Sequence, residues 1–142
     1  MTAERGVTRW ILLVGALFAL TGVMAGAFGA HGLRQMVSPR GLEVFQTGVT
    51  YQMYHALALL AVAVLSGLGL AHRWLKAAAG FFIAGILLFS GSLYGLVLLE
   101  LKALGPVTPV GGLCFMIGWI CLVIAAVKRH PENEDRADST ER

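Results

Sequence analysis

One stretch of the chain gathers side chains able to do chemistry. Thr47, Tyr51 and His55 recur at intervals of four, so a helix presents them on one face. Gln52 and Tyr54 flank that face, and Gln46 and Thr50 lie close to it. Further along come Ser90, Ser92 and Tyr94, then Thr108, while His31 stands between two glycine-containing runs. A histidine among tyrosines, amides and hydroxyls suits a small polar pocket or a protonatable site. Catalysis is not expected. A Ser–His–acid triad needs a buried carboxylate, and Glu43 and Glu100 sit at the ends of apolar stretches. Two histidines with neither carboxylate nor cysteine beside them make no metal site. Gly-rich phosphate loops and haem-attachment motifs are absent from the sequence, so no cofactor is expected.

The elements that position these residues follow from where charge is missing. The chain has 142 residues, of which 57% are apolar and 13% charged. Asp, Glu, Lys and Arg are absent from residues 10–33, 44–72, 77–99 and 103–127, which together hold 101 residues. A soluble fold needs charge along the wet faces of its helices or strands, and none is available here. Soluble enzymes, nucleic-acid binders and disulfide-stapled secreted domains are therefore excluded. The net charge of +3 comes from basic residues flanking the apolar blocks, where lipid headgroups are the natural partner. Nucleic acid is not an expected partner.

A helix needs about 20 apolar residues to cross a ~30 Å hydrocarbon core, so each block suits one crossing. Runs such as LLAVAVL and IAGILLF lack the period-two alternation of a barrel strand. The expectation is an all-α polytopic membrane protein: four transmembrane helices in an antiparallel bundle, within one domain at residues 1–128. Spans are expected near 9–30, 49–71, 77–99 and 108–127, with His72–Lys76 as the second connection. Ala25-Gly26-Ala27 has the look of a signal cleavage site, but the apolar stretch before it is long for a signal peptide. Residues 129–142 (RHPENEDRADSTER without apolar periodicity) are expected to be a disordered cytoplasmic tail.

Eight basic residues fall on one side of this layout: Arg5, Arg9, Arg73, Lys76, Lys128, Arg129, Arg136 and Arg142. Arg34, Arg40 and Lys102 fall on the other. Positive charge stays inside, so both termini are expected in the cytoplasm. The same topology carries His31, Tyr51, His55, Ser90, Ser92, Tyr94 and Thr108 to the outer leaflet half, predicting one polar cluster there with His55 at its centre.

In the second span, Ser38 reads as an N-cap and Pro39 as the first helical residue, with Gly48 as a bend point. A helix continuing to Leu70 and counted back about 20 residues has its outer boundary near Tyr51, one turn above His55. Small residues recur at seven-residue spacing in three spans: Gly15, Ala19, Gly22, Gly26 and Gly29; Ala77, Gly80, Ala84, Gly91 and Gly95; and Gly111, Cys114, Gly118, Cys121 and Ala125. Such seams let helices approach closely within a bundle or a homo-oligomer. The two cysteines, about 10 Å apart on a helix, belong to the last seam and not to a disulfide.

Four stretches together resemble a known family: GAFGAHGL (26–33), FQTGVTYQMYHALALL (45–60), GILLFSGSLYGLVL (85–98) and TPVGGLCFMIGW (108–119). They are similar to the DUF423 family of small inner-membrane proteins, whose animal relatives are called transmembrane protein 256. The resemblance runs over roughly residues 8–128. It implies four membrane helices and a bacterial inner (plasma) membrane, and it implies no established activity or catalytic residue. The matching stretches contain His31, Tyr51, Gln52, Tyr54, His55, Ser90, Ser92 and Tyr94. The expected function is a small binding or accessory membrane module that holds a lipid or small molecule or docks a larger membrane complex. The alternative is a small proton-linked transporter or channel, as a homo-oligomer.

Overall fold

The computed structural model describes residues 2–68 and 70–128. Helix α1 runs Thr2–His31, and a short 3-10 turn, Leu33–Gln35, leads to α2 at Pro39–Leu65. Helix α3 (His72–Gly85) passes through a π-helical turn (Ile86–Ser90) directly into α4 (Gly91–Leu98), making one continuous rod. A second 3-10 turn, Lys102–Leu104, leads to α5 at Val107–Val127. The described residues contain four helical segments long and apolar enough to cross a membrane. The all-α bundle expected from the charge pattern is the architecture found. The tail at 129–142 lies outside the described residues.

The exposed surface is apolar, unlike that of a soluble protein. Leu17, Val23, Met24, Val64, Leu87, Met116 and Val123 are all exposed. That is the surface a hydrocarbon solvent requires, with backbone polar groups satisfied inside each helix.

Local sequence accounts for the helix ends. Ser38 Oγ accepts from the Gly41 N–H at 3.1 Å, and Pro39 occupies the first helical position, where its missing N–H costs nothing. Helix α2 ends at Leu65 and α3 begins at His72, so residues 72–76, expected to form the second connection, open α3. Charge marked those residues as a connection. However, Arg and Lys are good helix formers, and the helix ends earlier, at Leu65, just ahead of Gly67. After α4, Glu100 takes a left-handed conformation (φ 52°) that ends the helix.

Helices pack in sequence order, each antiparallel to the next. A Cβ built on Gly15 would meet Leu59 Cβ at 3.0 Å, one on Gly22 would meet Met53 Sδ at 2.7 Å, and one on Gly29 would meet the Phe45 ring at 3.1 Å. The α1 seam is therefore the face laid on α2. The α5 seam is used too. At Gly118 an added Cβ would lie 2.6 Å from the Phe82 ring, and at Gly111 it would lie 2.7 Å from Phe89 Cα. Phe115 in turn sits against Gly85. Among the described residues both cysteines are free, and Cys121 is buried in this contact.

The third expected seam is not a packing face. Gly80 and Gly91 have nothing within 4 Å of an added Cβ, and both are exposed. Helix α3 turns a different face inward, burying Leu75, Ala78, Ala79, Phe82 and Gly85, which leaves Gly80 outside the contact. Beyond it the π turn widens one turn of the helix and shifts the phase of α4. Gly85 and Gly95 are the buried glycines of this rod instead.

Gly118→Leu is expected to cost about 1–3 kcal/mol through overpacking against Phe82. Gly80→Leu is expected to leave stability unchanged. Thermal unfolding of each variant in mild detergent measures the contrast.

Candidate functional site

The polar residues of α2 do not form one cluster. They divide into two networks on either side of the helix, plus a set left at the surface.

The first network joins three helices through Gln52, which is 4% exposed. Its Nε2 donates to Phe18 O and to Thr21 Oγ1, each at 2.9 Å, and its Oε1 accepts from the Tyr94 hydroxyl at 2.7 Å. Thr21 Oγ1 in turn donates to Leu17 O at 2.9 Å. Both amide hydrogens and the amide oxygen are engaged, so the site is a saturated tie between α1, α2 and α4. Ser90 Oγ donates to Gly48 O at 2.6 Å, and Ser92 Oγ pairs with Thr108 Oγ1 at 2.7 Å. Gly48 is thus a point of close approach to Leu93 and Tyr94.

The second network lies between α2 and α5. His55 is 4% exposed, and its Nδ1 lies 2.7 Å from Tyr51 O. Trp119 Nε1–H donates to His55 Nε2 at 3.1 Å. An indole nitrogen only donates and a carbonyl only accepts, so the imidazole is neutral, with its proton on Nδ1. Its ring stacks on Phe115, with centroids 3.5 Å apart and planes within 6°. Phe82 and Trp119 close the edge, their centroids 5.1 Å apart. Tyr51 continues the aromatic wall to Phe89 at 4.7 Å.

Beside this wall is a groove of about 870 Å³, lined by Tyr51, Tyr54, His55, Phe89, Phe115 and Trp119 among others. Leu57, Met116 and Tyr54 on its rim are exposed, so it opens on the flank of the helices. The π turn belongs to this geometry, because it carries Phe89 to α5 and Ser90 to α2. Such turns are frequent at functional sites.

Several expected residues stand apart. His31 is exposed at the end of α1, and Gln46 is exposed. Thr47 is also exposed, and its hydroxyl donates to Glu43 O at 2.9 Å within its own helix. The expected single cluster assumed that a shared depth means a shared place, but Gln52 is turned toward α1 and α4 while His55 meets α5. The helix also ends at Leu65 and not Leu70, so a count of about 20 residues reaches Gln46, and His55 falls near mid-span.

Thr21, Phe89, Phe115 and Trp119 were not anticipated. Two signals were available. Thr21 is a hydroxyl in an otherwise apolar run, and Trp119 is far from either end of α5, where an indole N–H needs an acceptor. Among the described residues, no group of three or more metal-ligating side chains occurs.

Gln52→Leu leaves the Thr21 and Tyr94 hydroxyls without their partner and is expected to destabilise the protein by about 1–3 kcal/mol. Thr47→Ala is expected to change nothing. Equilibrium unfolding in mixed micelles checks the pair.

Comparison with known proteins agrees with the membrane architecture. A family model described as "Protein of unknown function (DUF423)" matches residues 25–112. The UPF0382 membrane protein SAB0533 of Staphylococcus aureus is 51% identical over 119 residues, covering 82% of this chain and 94% of the relative. The UPF0382 membrane protein YwdK of Bacillus subtilis is 48% identical over 121 residues, covering 82% and 95%. A UPF0382 membrane protein of Staphylococcus epidermidis is 44% identical over 118 residues, covering 82% and 94%. No solved structure matches the chain. With the four apolar helices and these relatives together, the chain belongs to the DUF423 family of membrane proteins.

Proposed function

We propose that the chain is a binding module of the bilayer, not an enzyme, and that its working surface is the groove between α2 and α5. One observation carries the reading: a groove of about 870 Å³ with aromatic walls ends on a buried histidine. Ligand sites are mostly apolar concavities with a few placed polar groups, and this groove has that character. Its rim of exposed Leu57, Met116 and Tyr54 favours a ligand that arrives through the lipid. By contrast, the Gln52 network is saturated and holds helices together.

The charge distribution supports an orientation in the bacterial inner membrane. Arg9, Arg73, Lys76 and Lys128 stand at one end of the antiparallel helices, and Lys128 Nζ lies 5.4 Å from the centre of the Trp74 ring. At the other end stand Arg34, Arg40 and Lys102, fewer than the basic residues of the first end. Both termini are assigned to the cytoplasm on this basis.

Two measurements test the reading. Protein purified in mild detergent is expected to carry a reproducible lipophilic small molecule, identified by mass spectrometry after solvent extraction. Gly112→Phe, which fills the groove at a position with room for a Cβ, is expected to lose it. Wild type and Gly112→Phe carrying the same lipids would overturn the reading. In a Cys114→Ala, Cys121→Ala background, Lys102→Cys is expected to react with an impermeant maleimide on intact cells. Lys76→Cys is expected to react only after permeabilisation, and the reverse pattern would overturn the orientation.

A further inference from the structure

The hydrogen bond between Trp119 and His55 defines what the groove can accept. Trp119 is 47% exposed and covers His55, which is 4% exposed. A ligand reaching the imidazole has to part the two groups, which leaves one acceptor, His55 Nε2, and one donor, Trp119 Nε1–H. In surroundings this apolar an unpaired polar group is costly. A carbonyl oxygen accepts from the indole but leaves Nε2 unpaired, and an ether oxygen does the same. A hydroxyl both donates and accepts. It can enter the Trp119–His55 bond, donate to Nε2 and accept from Nε1–H, so that neither is left unpaired.

The ring surfaces specify the rest of the ligand. His55 and Phe115 are already stacked, and Tyr51 and Phe89 extend the wall, so a flat ring finds aromatic faces beside the hydroxyl position. Trp119 also borders a second groove of about 520 Å³ along α5, lined by Ile120, Val123, Ile124 and other apolar residues, which suits an alkyl or prenyl tail.

We propose that the groove binds a hydroxylated aromatic ring on an apolar tail, with the hydroxyl inserted between His55 Nε2 and Trp119 Nε1–H. This rests on the reading of the groove as a ligand site and names the chemistry of its ligand.

The test uses the full chain in nanodiscs with para-hexylphenol and its methyl ether as probes. Binding is measured by equilibrium dialysis, normalised to each probe's concentration in the lipid. With Trp10→Phe and Trp74→Phe in place, the remaining indole N–H resonance reports on Trp119. The phenol is expected to bind at least tenfold more tightly than the ether and to shift that resonance, and Gly112→Phe is expected to weaken both probes. His55→Phe keeps the stack on Phe115 and is expected to bring the phenol-to-ether ratio to one. Should His55→Phe fail to fold, Trp119→Phe leaves Nε2 open and is expected to raise the ratio. Equal binding of phenol and ether, with Gly112→Phe still weakening both, would overturn the hydroxyl assignment and leave the groove reading standing. Binding of neither probe above empty nanodiscs, in wild type and Gly112→Phe alike, would overturn both.

Discussion

Hydrocarbon gives apolar helices no reason to associate, so this bundle depends on how closely its backbones can approach. The contact on which the rest turns is the interlock of α5 with the α3–α4 rod. Gly111 lies against the backbone of Phe89, Gly118 admits the ring of Phe82, and Gly85 admits the ring of Phe115. Each glycine receives an aromatic residue of the other helix, so the two helices are fixed in register as well as in distance. That register places Phe115 and Trp119 over His55. Side chains at the three glycines would push α5 away and leave the imidazole facing lipid without an acceptor's partner.

Low dielectric then sorts the polar groups. Gln52 engages both amide hydrogens and its amide oxygen in three hydrogen bonds, spanning α1 and α4. The network is full, and a full network rigidifies. The His55–Trp119 pair is complete only as long as the two stay together, and one of them lies at the surface of an open groove. The difference between a structural tie and a candidate site is therefore not polarity or depth. It is whether a partner can be displaced by something arriving from the lipid.

The division between α1 and α5 follows the same logic. Helix α1 packs against α2 through small residues along much of its length and leaves a broad face to lipid. Helix α5 meets α2 through aromatic side chains, Phe115 and Trp119 against His55. Glycine contacts close one side of α2, and aromatic contacts leave a groove on the other.

Charge placement alone determined the helical membrane architecture, because hydrocarbon excludes charge and each charge-free block has the length of one crossing. The α1 and α5 seams were also legible, since seven-residue spacing maps directly to one face of a straight helix. The α3–α4 seam was not, because α3 turns Ala78, Ala79, Phe82 and Gly85 inward and leaves Gly80 outside, and because nothing in the run ILLFS announces the π turn that shifts the phase beyond it. The same holds for the site. His55 and Gln52 were visible as polar residues in an apolar block, and the topology brought them to similar depth. Only the tertiary structure decided that Gln52 is spent on α1 and α4 while His55 meets Trp119. Depth is a one-dimensional quantity that residue counting supplies, whereas the direction a side chain faces depends on which helix lies beside it, and that is decided by packing between distant segments.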